Sequence, residues 1–213
     1  NLQPSEIFKI ILTIALAAFF SSVEELKWQQ LVAGFAITLV PMALVLLQPD
    51  LGTSLIFLAI LIAMIVFSKI DRIYLFILGI GFIIAAPVMW FLVLADYQKQ
   101  RIISFIYPQS DPFGSGYNVL QSTIAIGSGG MTGKGLGHGP QSQLNFLPSQ
   151  HTDFIFATIG EELGFWGASL VLLLLALLLF KVVGVYRKSS SDFGKYLVIG
   201  FFSILVIQIL VNI

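Results

Sequence analysis

Long apolar runs separated by short polar breaks fill most of the chain, and a single long polar stretch, from Asp96 to Gly164, interrupts them. Several runs approach or exceed about 17 residues, the lower limit for a helix crossing a roughly 30 Å hydrocarbon core. Six spans follow, at about 6–22, 30–47, 51–69, 72–95, 154–186 and 196–213. A transmembrane barrel would need alternating segments of about ten residues, and runs such as Val171–Phe180 alternate nothing. The expected fold class is an all-α polytopic membrane protein. Its helices form one bundle, a single integral-membrane domain over 1–213, with one large extracytoplasmic loop at 97–152.

Composition sharpens this picture. The chain is 57% apolar and 10% charged, against about 25% charged in an average soluble domain. Net charge is zero, so no bulk attraction to nucleic acid is expected. The absence of cysteine excludes disulfides, thiol catalysis and zinc–cysteine sites. The chain begins at Asn1 and stops at Ile213 within an apolar run, and is expected to be an internal piece of a longer protein with further spans on both sides.

Lys and Arg orient the spans, since short cytoplasmic connections carry the excess. One side holds Lys27, Lys69, Arg72, Lys181, Arg187, Lys188 and Lys195, and the other holds Lys9, Lys99, Arg101 and Lys134. The first side is therefore placed in the cytoplasm. Asn1, the break at Gln48–Leu51 and the long loop then face outward.

That outward side gathers the candidate chemistry. Pro4 and Glu6 suit the first turn of the first span. Glu6 and Lys9, three apart, share a helix face, either as a surface ion pair or with Lys9 turned to a polar cavity. Pro41 is expected to kink the second span. Asp50 is placed to cap the third. Lys99 and Arg101 follow the fourth span, where they complement the helix end or lipid headgroups, or hold an anionic ligand. Tyr107–Gly114 is turn chemistry, and a short interfacial helix is expected at Asn118–Ile126. Seven glycines lie between Gly127 and Gly139. A phosphate loop would need Gly, four residues, then Gly-Lys-Ser/Thr. Here Ser128 holds the first position and Gly135 follows Lys134, so a loop whose backbone approaches a ligand closely is the better expectation. His151-Thr152-Asp153 leads into the fifth span, with Asp153 a helix cap or a catalytic carboxylate. Glu161, eight residues on, is about 80° around the helix from Asp153.

With these residues placed, the chain resembles the SEDS family (shape, elongation, division and sporulation proteins), most closely its RodA branch. Four segments carry the resemblance: Gln3-Pro4-Ser5-Glu6 with Lys9; Gln48-Pro49-Asp50-Leu51-Gly52-Thr53; Asp96-Tyr97-Gln98-Lys99-Gln100-Arg101; and a run from Asp111-Pro112-Phe113-Gly114 to His151-Thr152-Asp153-Phe154 and Glu161-Glu162-Leu163-Gly164. Gly139-Pro140-Gln141-Ser142-Gln143-Leu144 looks like RodA rather than FtsW. The family has ten spans, so the six here would be the fourth to ninth.

The resemblance implies a peptidoglycan glycosyltransferase that polymerises lipid II during cell elongation, at the outer face of the bacterial cytoplasmic membrane. It implies Asp153 as the catalytic aspartate and general base. Lys9, Arg101 and Lys99, with Glu6, Asp50, Glu161 and His151, would line the substrate site. No cofactor is read from the sequence; a divalent cation such as Mg2+ at the diphosphate is what the reaction would accommodate. Implied partners are lipid II and undecaprenyl-linked glycan, membrane lipid, the elongation machinery and a class B penicillin-binding protein, a transpeptidase. Two other classes are weighed against this one. A transporter (flippase) of lipid-linked cell-wall precursor also suits a charged cavity among spans, but favours broken helices near the midplane. A noncatalytic scaffold would leave the charges of one side without a joint purpose.

Overall fold

A computed structural model describes residues 3–23, 27–48, 50–68, 70–114, 116–143 and 153–213. Among these the regular elements are helical: α1 (Pro4–Ser21), α2 (Trp28–Leu46), α3 (Leu51–Val66), α4 (Arg72–Val88), α5 (Asp96–Ile106), α6 (Tyr117–Gly129), α7 (Pro140–Gln143), α8 (Ile155–Lys188) and α9 (Asp192–Asn212). Two compact units share the chain. One comprises 1–81 and 177–209, the other 82–176 and 210–213.

The first unit is built around α3. Phe57, Ile60, Leu61, Met64 and Ile65 are fully buried, and their spacing puts them on one broad helix face. Leu12, Leu16, Ala17 and Phe20 of α1, Leu31 and Val45 of α2, and Tyr196, Ile199 and Ile204 of α9 complete the core. Lipid is as apolar as Leu, so close packing rather than escape from water joins such helices, and small residues permit it. A side chain at Gly34 would press on Phe20, and one at Gly200 would meet Met64 and Thr13. Phe20 packs on Tyr196 with ring centroids 5.8 Å apart. At 16 residues, or about 24 Å, α3 is shorter than the other apolar helices. Helix α2 runs on through Pro41 from Trp28 to Leu46.

The second unit holds the long polar stretch, and its described residues are mostly helical. The fourth apolar run stays helical to Val93, close to the expected end at 95, but changes helix type on the way. Beyond Pro87, residues Met89–Val93 form a π-helical turn, and Leu94 N–H donates to Met89 O at 2.9 Å. Leu94 and Ala95 are extended, and α5 starts afresh at Asp96. Lys99 and Arg101 thus belong to a separate helix and not to the end of the fourth span. Asp111 O accepts from Gly114 N–H and Gly116 N–H, closing the turn expected at 107–114. The short helix expected at 118–126 is α6, one residue longer at its start and three at its end.

Candidate active site

In the first unit, Ser5, Lys9 and Thr13 follow one another at helical spacing on the buried face of α1. Lys9 is 3% exposed, yet its Nζ lies 2.6 Å from Glu6 Oε1, and Glu6 itself is about half exposed. Spacing alone leaves open a surface ion pair or a Lys9 turned to a polar cavity. The ion pair forms, and its ammonium is buried within the first unit. A buried ammonium needs such a partner, because desolvating an unpaired charge costs several kcal/mol. Thr13 Oγ1 donates to Lys9 O at 2.8 Å, whereas Ser5 Oγ, also buried, has no hydrogen-bond partner among the described residues. Beside it, Pro4 and Ser5 of α1 meet Pro41 and Gln48 around a recess of about 210 Å3.

Asp50 caps α3 as its position predicts. Thr53 N–H donates to Oδ1 at 3.1 Å and the Thr53 hydroxyl to Oδ2 at 2.7 Å. Ser54 Oγ adds a 2.9 Å bond to Asp50 O. Both carboxylate oxygens are therefore engaged at the helix start.

In the second unit, Lys99 pairs loosely with Asp96 at 3.7 Å, and Gln100 reaches Asp111 Oδ2 at 3.3 Å. Arg101 is exposed, with no ion pair among the described residues. Asp153 is exposed one residue outside the position that opens α8. Phe154, not Asp153, supplies the carbonyl that accepts from Thr158 N–H, at 3.2 Å. Among the described residues no side-chain hydrogen bond engages Asp153, so the capping alternative has no bond to rest on here. His151 lies outside the described residues. Glu161 is fully buried, and its Oε1 accepts from Gln141 N–H at 3.0 Å.

The feature that sequence reasoning missed is a break in α8 at Gly164, whose φ of 65° and ψ of −161° are open essentially to glycine alone. In an unbroken helix Phe165 N–H would bond Glu161 O, and Trp166 N–H would bond Glu162 O. All four groups pair with the glycine loop instead. Lys134 N–H donates to Glu161 O and Gly135 N–H to Glu162 O, each at 3.0 Å. Phe165 N–H donates to Gly130 O at 2.9 Å and Trp166 N–H to Met131 O at 3.4 Å. The approach is close enough to exclude side chains: a Cβ at Gly129 would strike Gly160 O, one at Gly133 would strike Glu162 O, and one at Gly164 would strike Gly133 N. What these glycines approach is the main chain of α8. The sequence clue was Gly164 itself, placed just past the Glu-Glu pair.

Among the described residues no three His, Asp or Glu side chains gather as metal ligands. Glu6, Lys9 and Asp50 belong to the first unit, and Lys99, Arg101, Asp153 and Glu161 to the second.

Five of the helices are long and apolar enough to cross a membrane, and a shorter apolar helix covers Gly52–Val66. The fold thus defines the class as a multi-pass, all-α membrane protein. Over residues 1–213 the chain matches the model of the cell cycle proteins FtsW, RodA and SpoVE, and it belongs to that family. It is 41% identical to the peptidoglycan glycosyltransferase MrdB of Escherichia coli K12, over 99% of this chain and 57% of MrdB. It is 36% identical to a probable peptidoglycan glycosyltransferase FtsW of Trichlorobacter lovleyi, over 100% of this chain and 56% of that protein. Identity to the stage V sporulation protein E of Bacillus subtilis is 35%, over 100% and 58%. A solved chain, from work described as "Structural coordination of polymerization and crosslinking by a peptidoglycan synthase complex", matches with a TM-score of 0.77 at 25% identity, over 99% of this chain and 58% of that one. The chain thus spans a little over half the length of these relatives.

Proposed function

We propose that the full-length protein is a peptidoglycan glycosyltransferase that polymerises lipid II during cell elongation, with Asp153 as general base. One observation carries this reading. Asp153 stands exposed at the head of α8, with no capping bond among the described residues, in a chain 41% identical to a protein named a peptidoglycan glycosyltransferase. The reaction joins two lipid-linked disaccharides. A sugar hydroxyl attacks the anomeric carbon of the second, its proton passes to Asp153, and the carbon–oxygen bond to the undecaprenyl diphosphate breaks with its electron pair. A positioned base contributes to such a step, and cations offset the charge growing on the diphosphate. Lys9, Arg101 and Lys99 are the candidates for that second role; Glu6 pairs with Lys9, and Asp50 caps α3.

The site faces outward from the bacterial cytoplasmic membrane, on the support of the Lys and Arg asymmetry. Polymerisation alone leaves strands uncrosslinked, so a class B penicillin-binding protein is the expected partner. Co-purification of the full-length protein in mild detergent checks this, and repeated recovery without a transpeptidase would count against it.

The catalytic claim is tested with purified full-length protein and lipid II. Asp153→Asn keeps the fold and slows polymerisation by about 10²–10⁴-fold. Asp153→Glu retains little activity, because a shift of about 1 Å can lose on the order of 100-fold. Normal polymerisation by Asp153→Asn would remove Asp153 from the chemistry.

A further inference from the structure

The buried carboxylate of Glu161, as part of the join between the glycine loop and the broken helix α8, points to a role in holding the Asp153-bearing arm of that helix. We infer that Glu161 is a positioning residue and not a substrate ligand. This rests on the proposed role of Asp153, and its structural part stands without it.

Three observations converge. First, Glu161 has no accessible surface, so its side chain is closed off from substrate by the protein around it. Second, its two polar ends face the same partner segment. The carboxylate accepts from Gln141 N–H at 3.0 Å, and the carbonyl accepts from Lys134 N–H at 3.0 Å. One residue therefore fastens both ends of the stretch from Lys134 to Gln141. Third, Glu161 lies within the arm of α8 between Ile155 and the break at Gly164. That arm is seated on α6 through Ala157 against Ala125 and Gly160 against Ile126. Its direction relative to the rest of α8 is set at Gly164, where four main-chain bonds to the glycine loop replace helical ones.

Without the loop, the break deprives two carbonyls and two N–H groups of these main-chain bonds, an unfavourable state in an apolar setting. Without Glu161's carboxylate, the far side of the loop loses the bond that Gln141 N–H makes to the helix, while the near side keeps its main-chain bonds. The arm that opens just after Asp153 is then less well fixed, and catalysis suffers through geometry. The expected signature is a lowered kcat at unchanged KM, because the side chain does not touch substrate.

The test pairs activity with an independent reading of the loop. Lys134 is exposed, and trypsin cleaves after it only when the loop leaves α8. In full-length protein in detergent, Glu161→Gln keeps an oxygen acceptor for Gln141 N–H, so the loop stays resistant and kcat falls by no more than about threefold. Glu161→Ala removes the acceptor, so cleavage after Lys134 appears and kcat falls on the order of 100-fold. Gly133→Ala leaves Glu161 intact but drives a Cβ into Glu162 O, and should give the same two effects. If Glu161→Ala fails to fold, Glu161→Gln decides the matter, because a holding role spares it and a chemical role does not. A Glu161→Gln protein that keeps a resistant loop but is as inactive as Asp153→Asn would put the Glu161 charge in the chemistry and overturn the proposal. So would a resistant, active Glu161→Ala. If Asp153→Asn polymerises normally, the role of Asp153 fails while the protease result still decides whether Glu161 holds the loop.

Discussion

Arg101 and Lys9 present the same charge under opposite conditions. Lys9 is buried and held by Glu6 at 2.6 Å, so it is already oriented. Arg101 is exposed on α5 and has no ion pair among the described residues, so its planar fork is available to a phosphate. Arg101→Lys keeps the charge and loses the fork. It should slow polymerisation several-fold, and Arg101→Ala about 10- to 100-fold, the range of one charge-assisted hydrogen bond. Lys9→Ala should act similarly and also leave Glu6 without its partner. Wild-type rates for both alanine variants would show that neither cation serves the reaction.

At the scale of the element, Gly164 is the position where one substitution has most to break. An alanine there must adopt a backbone conformation that costs on the order of 1–3 kcal/mol, and its Cβ meets Gly133 N. Thermal unfolding of Gly164→Ala should begin at lower temperature, and an unchanged midpoint would show that the break tolerates a side chain. The break also marks the limit of what the amino-acid pattern reveals. Long apolar runs announce α1, α2, α4, α8 and α9, because apolar length is itself the requirement for spanning a bilayer. Asp50 and Thr53 announce the start of α3, because capping is a local bond. Leu163-Gly164-Phe165 reads as continuous because hydropathy is blind to backbone direction. Helix α5 is not announced, because Asp96–Arg101 is polar throughout, and the π-helical turn before it leaves no mark in composition. The glycine run was legible as a close approach, but its partner lies about 30 residues ahead on another element, beyond any local pattern. The candidate charges were likewise legible one by one. Which of them are buried, as Lys9 and Glu161 are, is decided by packing.

For the whole molecule, exposure sorts the helices by their surroundings. Helix α4 has no buried residue, and Ile83, Phe91, Leu92 and Phe180 are each more than 70% exposed. Apolar surface on this scale is unsuited to water and natural against lipid. The orientation is testable with cysteines at Ser110 and Ser190, both exposed, in the otherwise cysteine-free chain. In cells with a breached outer barrier, an impermeant thiol reagent should label Ser110→Cys and spare Ser190→Cys. The reverse pattern would turn the molecule over and move Asp153 to the cytoplasmic side.

The join at Gly164 separates the path of the chain from its chemistry. Its four bonds are made by peptide groups alone, and the glycines it demands are those whose side chains would collide. Met131, Thr132 and Leu136 lie in the same loop and are exposed, so they are free to change without disturbing those bonds. A loop built this way can take on a new surface, and with it a new neighbour, while the helix it braces keeps its course.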